Sequence, residues 1–319
     1  MAGAKHIRDA IEDIKRDNLS GAAEITRRAS GVLIAAAKLP ADDADSYIST
    51  IRQTALSLIS SQPSMAPLIN LANSVLLEIE KHHERETVRD AVVKRANTFI
   101  SDMERGAEKI AAHTTDILNN IEAPARILTY SYSSTVLSSL IKAKDSGLEL
   151  RVICTESRPN YEGKKVLETI RANDIPVTYG VDMTVFGLLS KGMADTVLIG
   201  ADCVSREGVV NKAGTLGIAI ACSHLGIPLY ILSGEEKFLP SGLLPYHSIV
   251  PHPAGEVLTS HDEGTEVINT YFDTTPLALI TGFVTPRGVL NSEEVKATLR
   301  KGDVATPLSR APNDLANKA

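Results

Sequence analysis

Tryptophan is absent from these 319 residues, and aromatic side chains make up only 4% of them. The core must therefore be built mainly of Leu, Ile, Val and Ala. Cysteine is scarce. Cys154, Cys203 and Cys222 are odd in number and have neither CxxC nor metal-ligand spacing. That argues against a disulfide framework and a zinc site, and a reducing cytosol is the expected compartment. Positive charge is also short: Lys and Arg total 33 against 39 Asp and Glu, a net of −6. A general nucleic-acid binder is disfavoured, though a local basic pocket is not. No apolar run reaches the ~18 residues that suggest a membrane span. The charged opening MAGAKHIRDAIEDIKRD has no apolar h-region, which predicts no signal peptide and a cytoplasmic protein.

Familiar motifs are missing too. There is no G-x-G-x-x-G after the first strand and no Walker A sequence, which disfavours a dinucleotide site; no cofactor is expected. There is no G-x-S-x-G elbow and no H-E-x-x-H. His82 and His83 fall in a charged helical stretch and read as solvent-facing. His247, His252 and His261 fall in a Pro-rich insertion and read as surface loop.

What is present is a globular composition, 43% hydrophobic, long enough for two domains. Residues 1–120 carry apolar residues at helical spacing: Ile7, Ile11, Ile14; Ile25, Ala29, Leu33; Ile51, Ala55, Leu58; and a long stretch from Val88 to Ile117. The spacing predicts an N-terminal helical domain, broken at Asn18–Ala22 and at Ser60–Ser64. From Arg126 the rhythm becomes strand–helix alternation, which predicts βαβ units around a parallel sheet over 121–302. Residues 303–319 read as a frayed tail. The fold class is α/β: a helical domain followed by a Rossmann-like parallel-sheet domain.

The sequence centres on TVLIGADCVSREGVVNKAGTL. Thr196–Ile199 reads as a buried strand, Asp202 falls just past it, and a polar turn leads to Asn211-Lys212-Ala213-Gly214-Thr215 at a helix start. Ligands of open parallel sheets sit outside the carboxyl ends of the strands, and helix N-termini there favour anions. Polar residues recur at the other predicted strand ends: Thr129–Ser134, then Thr155–Pro159 with Arg158, then Asp182, then Ser233–Lys237. Arg158 suits a phosphate or carboxylate. Ser133 and Ser134 could cap a helix or donate to a phosphate. Taken singly, Asp202 could be a cap and Lys212 a surface lysine. Asp273, just before the last strand, is either a turn former or a second pocket carboxylate.

The segments ILTYSYSSTV, TESRPNYEGKK, IPVTYGVD, IGAD…GVVNKAGT and FDTTP…ITGFVTPRGVL follow one another in a recognisable order. Over about residues 120–300 the chain resembles one family of three groups. These are the alpha, beta and delta subunits of translation initiation factor 2B, ribose-1,5-bisphosphate isomerase and methylthioribose-1-phosphate isomerase. The resemblance implies a phosphosugar or nucleotide pocket between domains, homodimers or higher oligomers, and related 2B subunits as further candidate partners. It implies Asp202 as the acid/base of an aldose–ketose isomerase, Asn211 and Lys212 as substrate ligands, and Arg158 as the Arg of the family's Thr-Glu-x-Arg-Pro motif. The isomerases' catalytic Cys is Ser131 here. Their Arg-Gly at the first helix break is Ser20-Gly21, and a phosphate-binding Arg is Gln62. A hydroxyl needs a base beside it, and none stands near Ser131 in sequence. The resemblance therefore implies first a 2B-alpha-like regulator in translation initiation that binds a sugar phosphate or nucleoside monophosphate. An isomerase using Asp202 and Ser131 comes second. A scaffold with an empty pocket comes last, because unpaired buried charges are costly.

Overall fold

The computed structural model describes residues 2–41, 43–82, 84–260 and 264–309. The chain divides into two compact units. Unit one draws on Met1–Glu104, Glu236–Ser248 and Ala297–Ala319, and unit two on Arg105–Glu235 and Ile249–Lys296. The division is thus not a single cut near residue 120. It falls inside one long helix, and later segments return to unit one.

Unit one holds α1 (Ala2–Arg16), α2 (Ala22–Ala37), α3 (Ala44–Ser61), α4 (Ala66–Ile79) and the first part of α5 (Arg85–Leu118). The expected breaks are real. Asp17 accepts from the backbone N–H of Leu19 and Ser20, which turns the chain out of α1. Gln62 donates to the carbonyls of Ile14 and Asp17, so it braces that same turn. Asp43 caps α3 by accepting from Ser46 N at 2.7 Å. Ile14, Ile25, Leu33, Ile51, Leu58, Leu68 and Leu76 fill the core. Two asparagines of α4 bind the returning segments. Asn70 donates to the carbonyls of Glu236 and Phe238, and Asn73 pairs with Asp303 O and Ala305 N. Residues 303–309, expected to fray, are therefore held, with Ala305 and Leu308 buried. Residues 310–319 of that expected tail, together with His83 and His261, lie outside the described residues.

Unit two is built on a seven-stranded sheet. Its strands are β1 (Ala125–Leu128), β2 (Leu150–Thr155), β3 (Val177–Gly180), β4 (Thr196–Ile199), β7 (Leu229–Leu232), β9 (Gly282–Thr285) and β10 (Gly288–Leu290). The order is β10-β9-β7-β4-β1-β2-β3, parallel except for β10. α6 (Ser134–Asp145), α7 (Gly163–Ala172), α8 (Thr184–Ser190) and α9 (Thr215–Leu225) connect its strands, and α10 (Ser292–Leu299) follows β10. Chain order runs one way from β1 to β3 and the other way from β4 to β7. The gap between β1 and β4 is thus the topological switch point, where doubly wound sheets bind ligands.

The sequence reading missed a second sheet. β5 (Cys203–Ser205) and β6 (Gly208–Lys212) form a hairpin turning at Arg206-Glu207, and β6 pairs with β8 (Phe272–Thr275). Asn211 and Lys212 therefore lie on a strand rather than in a loop before α9. The strand β9 (Gly282–Thr285) does not follow β8 directly. After Pro276 the chain makes a 3-10 turn at Leu277–Leu279, and the strand begins at Gly282.

Candidate functional site

Past the carboxyl end of β1 the chain runs through Tyr130 and Ser131 to Ser133, the N-cap of α6. Ser133 Oγ accepts from Val136 N at 3.3 Å, so capping is its observed role, and the exposed Ser134 opens the helix. Gly200, just past β4, faces Ser133: a Cβ there would lie 2.5 Å from Ser133 Oγ. The loops after β1 and β4 therefore touch at the switch point. Ser131 adopts φ 63°, the left-handed region that costs a non-glycine residue about 1 kcal/mol.

That backbone directs Ser131 Oγ to Glu162, to whose Oε1 it donates at 2.9 Å. Lys212 Nζ meets the same Oε1 at 2.8 Å. The ion pair is sealed, its side chains only 5% and 11% exposed. Glu162 Oε2 is buried and has no hydrogen-bond partner. One carboxylate thus joins the ends of β1, β2 and β6. The sequence offered no group near Ser131; the fold brings it a carboxylate from 31 residues later.

Lys212 Nζ also sits 4.9 Å from the ring centroid of Tyr271. Tyr271 donates its hydroxyl to Glu256 Oε2 at 2.6 Å, and the His252 ring stacks on it at 3.4 Å. Asn269 donates to Glu256 and to Pro253 O, which fastens the Pro-rich segment to Tyr271. His252 is therefore half-buried stacking, not a plain surface residue. His247, in unit one, lies 3.1 Å from Ser64 O through its Nε2.

Burial above all holds the His252 imidazole below its ordinary pKa; Glu256 pulls it the other way, and the charge of Lys212 adds a smaller push down. The folded chain therefore prefers neutral His252. Its contribution is complete above the unfolded value of about 6.5 and is lost as pH falls below that. The melting temperature should drop between about pH 7.5 and about pH 5.5, and His252→Gln should shrink that drop. An equal drop in both proteins would show that His252 does not contribute.

Tyr130 donates to Ala213 O at 2.6 Å. Its phenol is pushed far up, by burial above all and then by the carboxylates of Asp182, Glu162 and Asp273. Gly214 faces it at φ 111°, where a Cβ would strike the Tyr130 hydroxyl at 2.6 Å. Asp273 Oδ2 accepts from Gly214 N at 2.7 Å and from Leu216 N at 3.2 Å, capping α9 from a neighbouring strand. Burial raises its pKa, and these N–H groups offset the rise only in part. Asn211 donates to Thr215 Oγ1 at 3.0 Å, and Thr215 donates to Lys212 O. Asp202 is half-buried past β4, and its N–H donates to Val210 O.

The third strand end does structural work. Asp182 accepts from Thr155 Oγ1, Ser157 N and Arg158 N at 2.7–2.8 Å, which latches the β2–α7 loop. Arg158 itself is exposed and lies over the Tyr161 ring, 5.2 Å from its centroid.

Of the residues singled out from sequence, Ser131 and Lys212 meet at Glu162, and Asn211 adjoins Lys212 on β6. Asp202 occupies the neighbouring strand end. Ser133 and Ser134 serve the start of α6, and Arg158 is engaged with Tyr161. Ser20 and Gly21 belong to unit one, where they form the turn into α2. Glu162, Tyr271, Glu256 and His252 were not foreseen; only Glu162 had a signal, its place in TESRPNYEG ahead of a helix start. Among the described residues no three or more His, Cys, Asp or Glu side chains are grouped to hold a metal ion, and no helix is long and apolar enough to cross a membrane.

The family model described as Initiation factor 2 subunit family matches residues 18–292. A Pyrococcus furiosus protein named as translation initiation factor eIF-2B subunit 2-like is 30% identical over 282 residues, 88% of this chain and 94% of its own. Ribose 1,5-bisphosphate isomerase of Archaeoglobus fulgidus is 28% identical over 293 residues, 91% of each chain. Among solved structures, the translation initiation factor eIF-2B of Pyrococcus horikoshii OT3 matches with a TM-score of 0.74 at 27% identity, over 89% of this chain and 96% of that one.

Proposed function

Because the chain belongs to the initiation factor 2 subunit family, we propose that the carboxyl ends of its parallel strands bind a phosphorylated ribose derivative. Lys212 carries this reading. A lysine only 5% exposed is held at a strand end against the Glu162 carboxylate that it shares with the Ser131 hydroxyl, and beside the Tyr271 ring. Burying such a cation is costly unless it is paired. Its ammonium offers three donors; Glu162 takes one of them and the Tyr271 ring takes none, so a ligand oxygen has donors to meet. Asn211 precedes Lys212 on β6, and Asp202 lies just past the end of β4. One relative's name carries a ribose bisphosphate as substrate.

In the first reading the ligand serves assembly or regulation in translation initiation, as in a 2B-alpha-like subunit that forms homodimers or joins related subunits. Serine in the place of the isomerase thiol favours it. In the second, the chain is an aldose–ketose isomerase with Asp202 as acid/base. Ser131 and Asp202 leaving the adjacent strands β1 and β4 favour that reading.

A thermal-shift series with ribose 1,5-bisphosphate, methylthioribose 1-phosphate and nucleoside monophosphates tests the shared premise. A ligand at about 100 times its dissociation constant should add about 2.7 kcal/mol of stability. An unmoved melting temperature with every phosphosugar and nucleotide would end both readings.

A further inference from the structure

We propose that Ser131 and Glu162 form a proton relay that lets this site isomerise its sugar phosphate without a thiol. The inference rests on the reading above, that a ribose 1-phosphate derivative binds at these strand ends. Three observations support it. Ser131 is held at φ 63°, a backbone state that persists only where its surroundings enforce it. Its hydroxyl donates to Glu162 Oε1 at 2.9 Å, the distance at which a carboxylate can take a hydroxyl proton. Glu162 Oε2 is buried without a partner, and such an orphan in a folded protein calls for an explanation.

Glu162 could instead be only the counter-ion of Lys212, but that role needs no serine and no strained backbone. A hydroxyl is a poor acid and a poor base alone. Paired with a carboxylate it can hand a proton on while receiving another, and that is the work an aldose 1-phosphate demands. Two protons must move. The one on C2 goes to C1, and the one on the 2-hydroxyl goes to the ring oxygen. The C2–H bond breaks as its proton passes to Asp202. The bond from C1 to the ring oxygen breaks as that oxygen leaves with its electron pair. The resulting enol takes the proton back at C1 and becomes the 2-ketone when its hydroxyl proton departs. In the relay, Ser131 Oγ accepts that hydroxyl proton and passes its own to Glu162 Oε1. The return journey delivers a proton to the freed ring oxygen. Substrate and product are isomers, so no oxidant or reductant is needed. Asp202 does the carbon work, Ser131 the oxygen work, and Glu162 acts through Ser131 as a positioning residue.

The test follows ribose 1,5-bisphosphate by NMR, with melting temperatures recorded for each protein. The wild type should form the ketose. Glu162→Gln, which keeps the shape and still offers Lys212 an oxygen, should lower kcat by roughly 100-fold and flatten the pH profile of kcat/KM. In a Ser131→Cys background the same change should cost less than about tenfold, because a thiol ionises without help. Should Glu162→Gln not fold, Glu162→Asp serves: it keeps the charge, withdraws it from Ser131 and should still lose turnover. Equal losses in the serine and cysteine backgrounds would make Glu162 merely structural and overturn the relay. Wild-type protein that is stabilised by the ligand but forms no ketose also overturns it and leaves the binding reading intact. No stabilisation at all removes both.

Discussion

Replacing Lys212 with methionine is expected to lower the unfolding free energy by about 3–5 kcal/mol, because it strands the Glu162 carboxylate in the interior. Without Lys212, Oε1 keeps only the Ser131 hydroxyl, and Oε2 has no partner to begin with. The penalty comes from the charge left behind, not from a large net gain in the native pair, and a second variant separates the two. In Lys212→Met combined with Glu162→Leu neither charge remains, and most of the loss should be recovered, as when buried ion pairs are exchanged for apolar groups. Denaturant unfolding of the wild type, the single and the double variant measures this directly. A double variant no more stable than the single one would place the loss in packing, with Tyr271, which lies 4.9 Å from Lys212 Nζ, as the first suspect.

That pair also marks where the sequence stops being legible. Periodicity revealed the helices of unit one, the parallel strands of unit two and the very bounds of β4. These signals are local, since a helix face or a buried strand is written in consecutive residues. Lys212 and Ser131 could be picked out because each falls at a predicted strand end. Their common partner could not, because Glu162 is remote in sequence from both and only the parallel register of β1 and β2 brings the two loops together. The small sheet escaped notice for the same reason. Val209 and Val210 pair with Thr275 and Thr274, far down the chain, while the residues around them read as turn. A hairpin whose register is fixed by a distant third strand leaves little local trace. His252 is the plainest case: its surroundings in sequence are loop-like, and its stacking role comes from Tyr271, which no local pattern marks as its neighbour.

The other large effect is expected at Gly163. A methyl group there would lie 1.6 Å from the carbonyl oxygen of Thr155 and 2.7 Å from its carbon. Both are backbone atoms of β2, so no side chain can swing away to make room. The glycine is needed for space rather than for an unusual φ: the first turn of α7 rests directly on the end of the strand. Thr155 cannot yield easily either. It lies in register with Gly180 of β3 and donates its hydroxyl to Asp182. Gly163→Ala should therefore cost about 3 kcal/mol or more, the upper range for overpacking. It should also reach the site, because Glu162 is the preceding residue and must follow any shift of the helix start. The expected signature is a protein with a lowered denaturation midpoint and weakened phosphosugar stabilisation in the same variant. Gly187→Ala is the control. It lies within α8, and a Cβ there meets nothing within 4 Å. It should leave the midpoint unchanged or raise it slightly, since alanine outranks glycine in a helix by about 1 kcal/mol. Should Gly163→Ala behave like Gly187→Ala, the close seating of α7 on β2 would be wrong, and with it the geometry that holds Glu162 against Ser131.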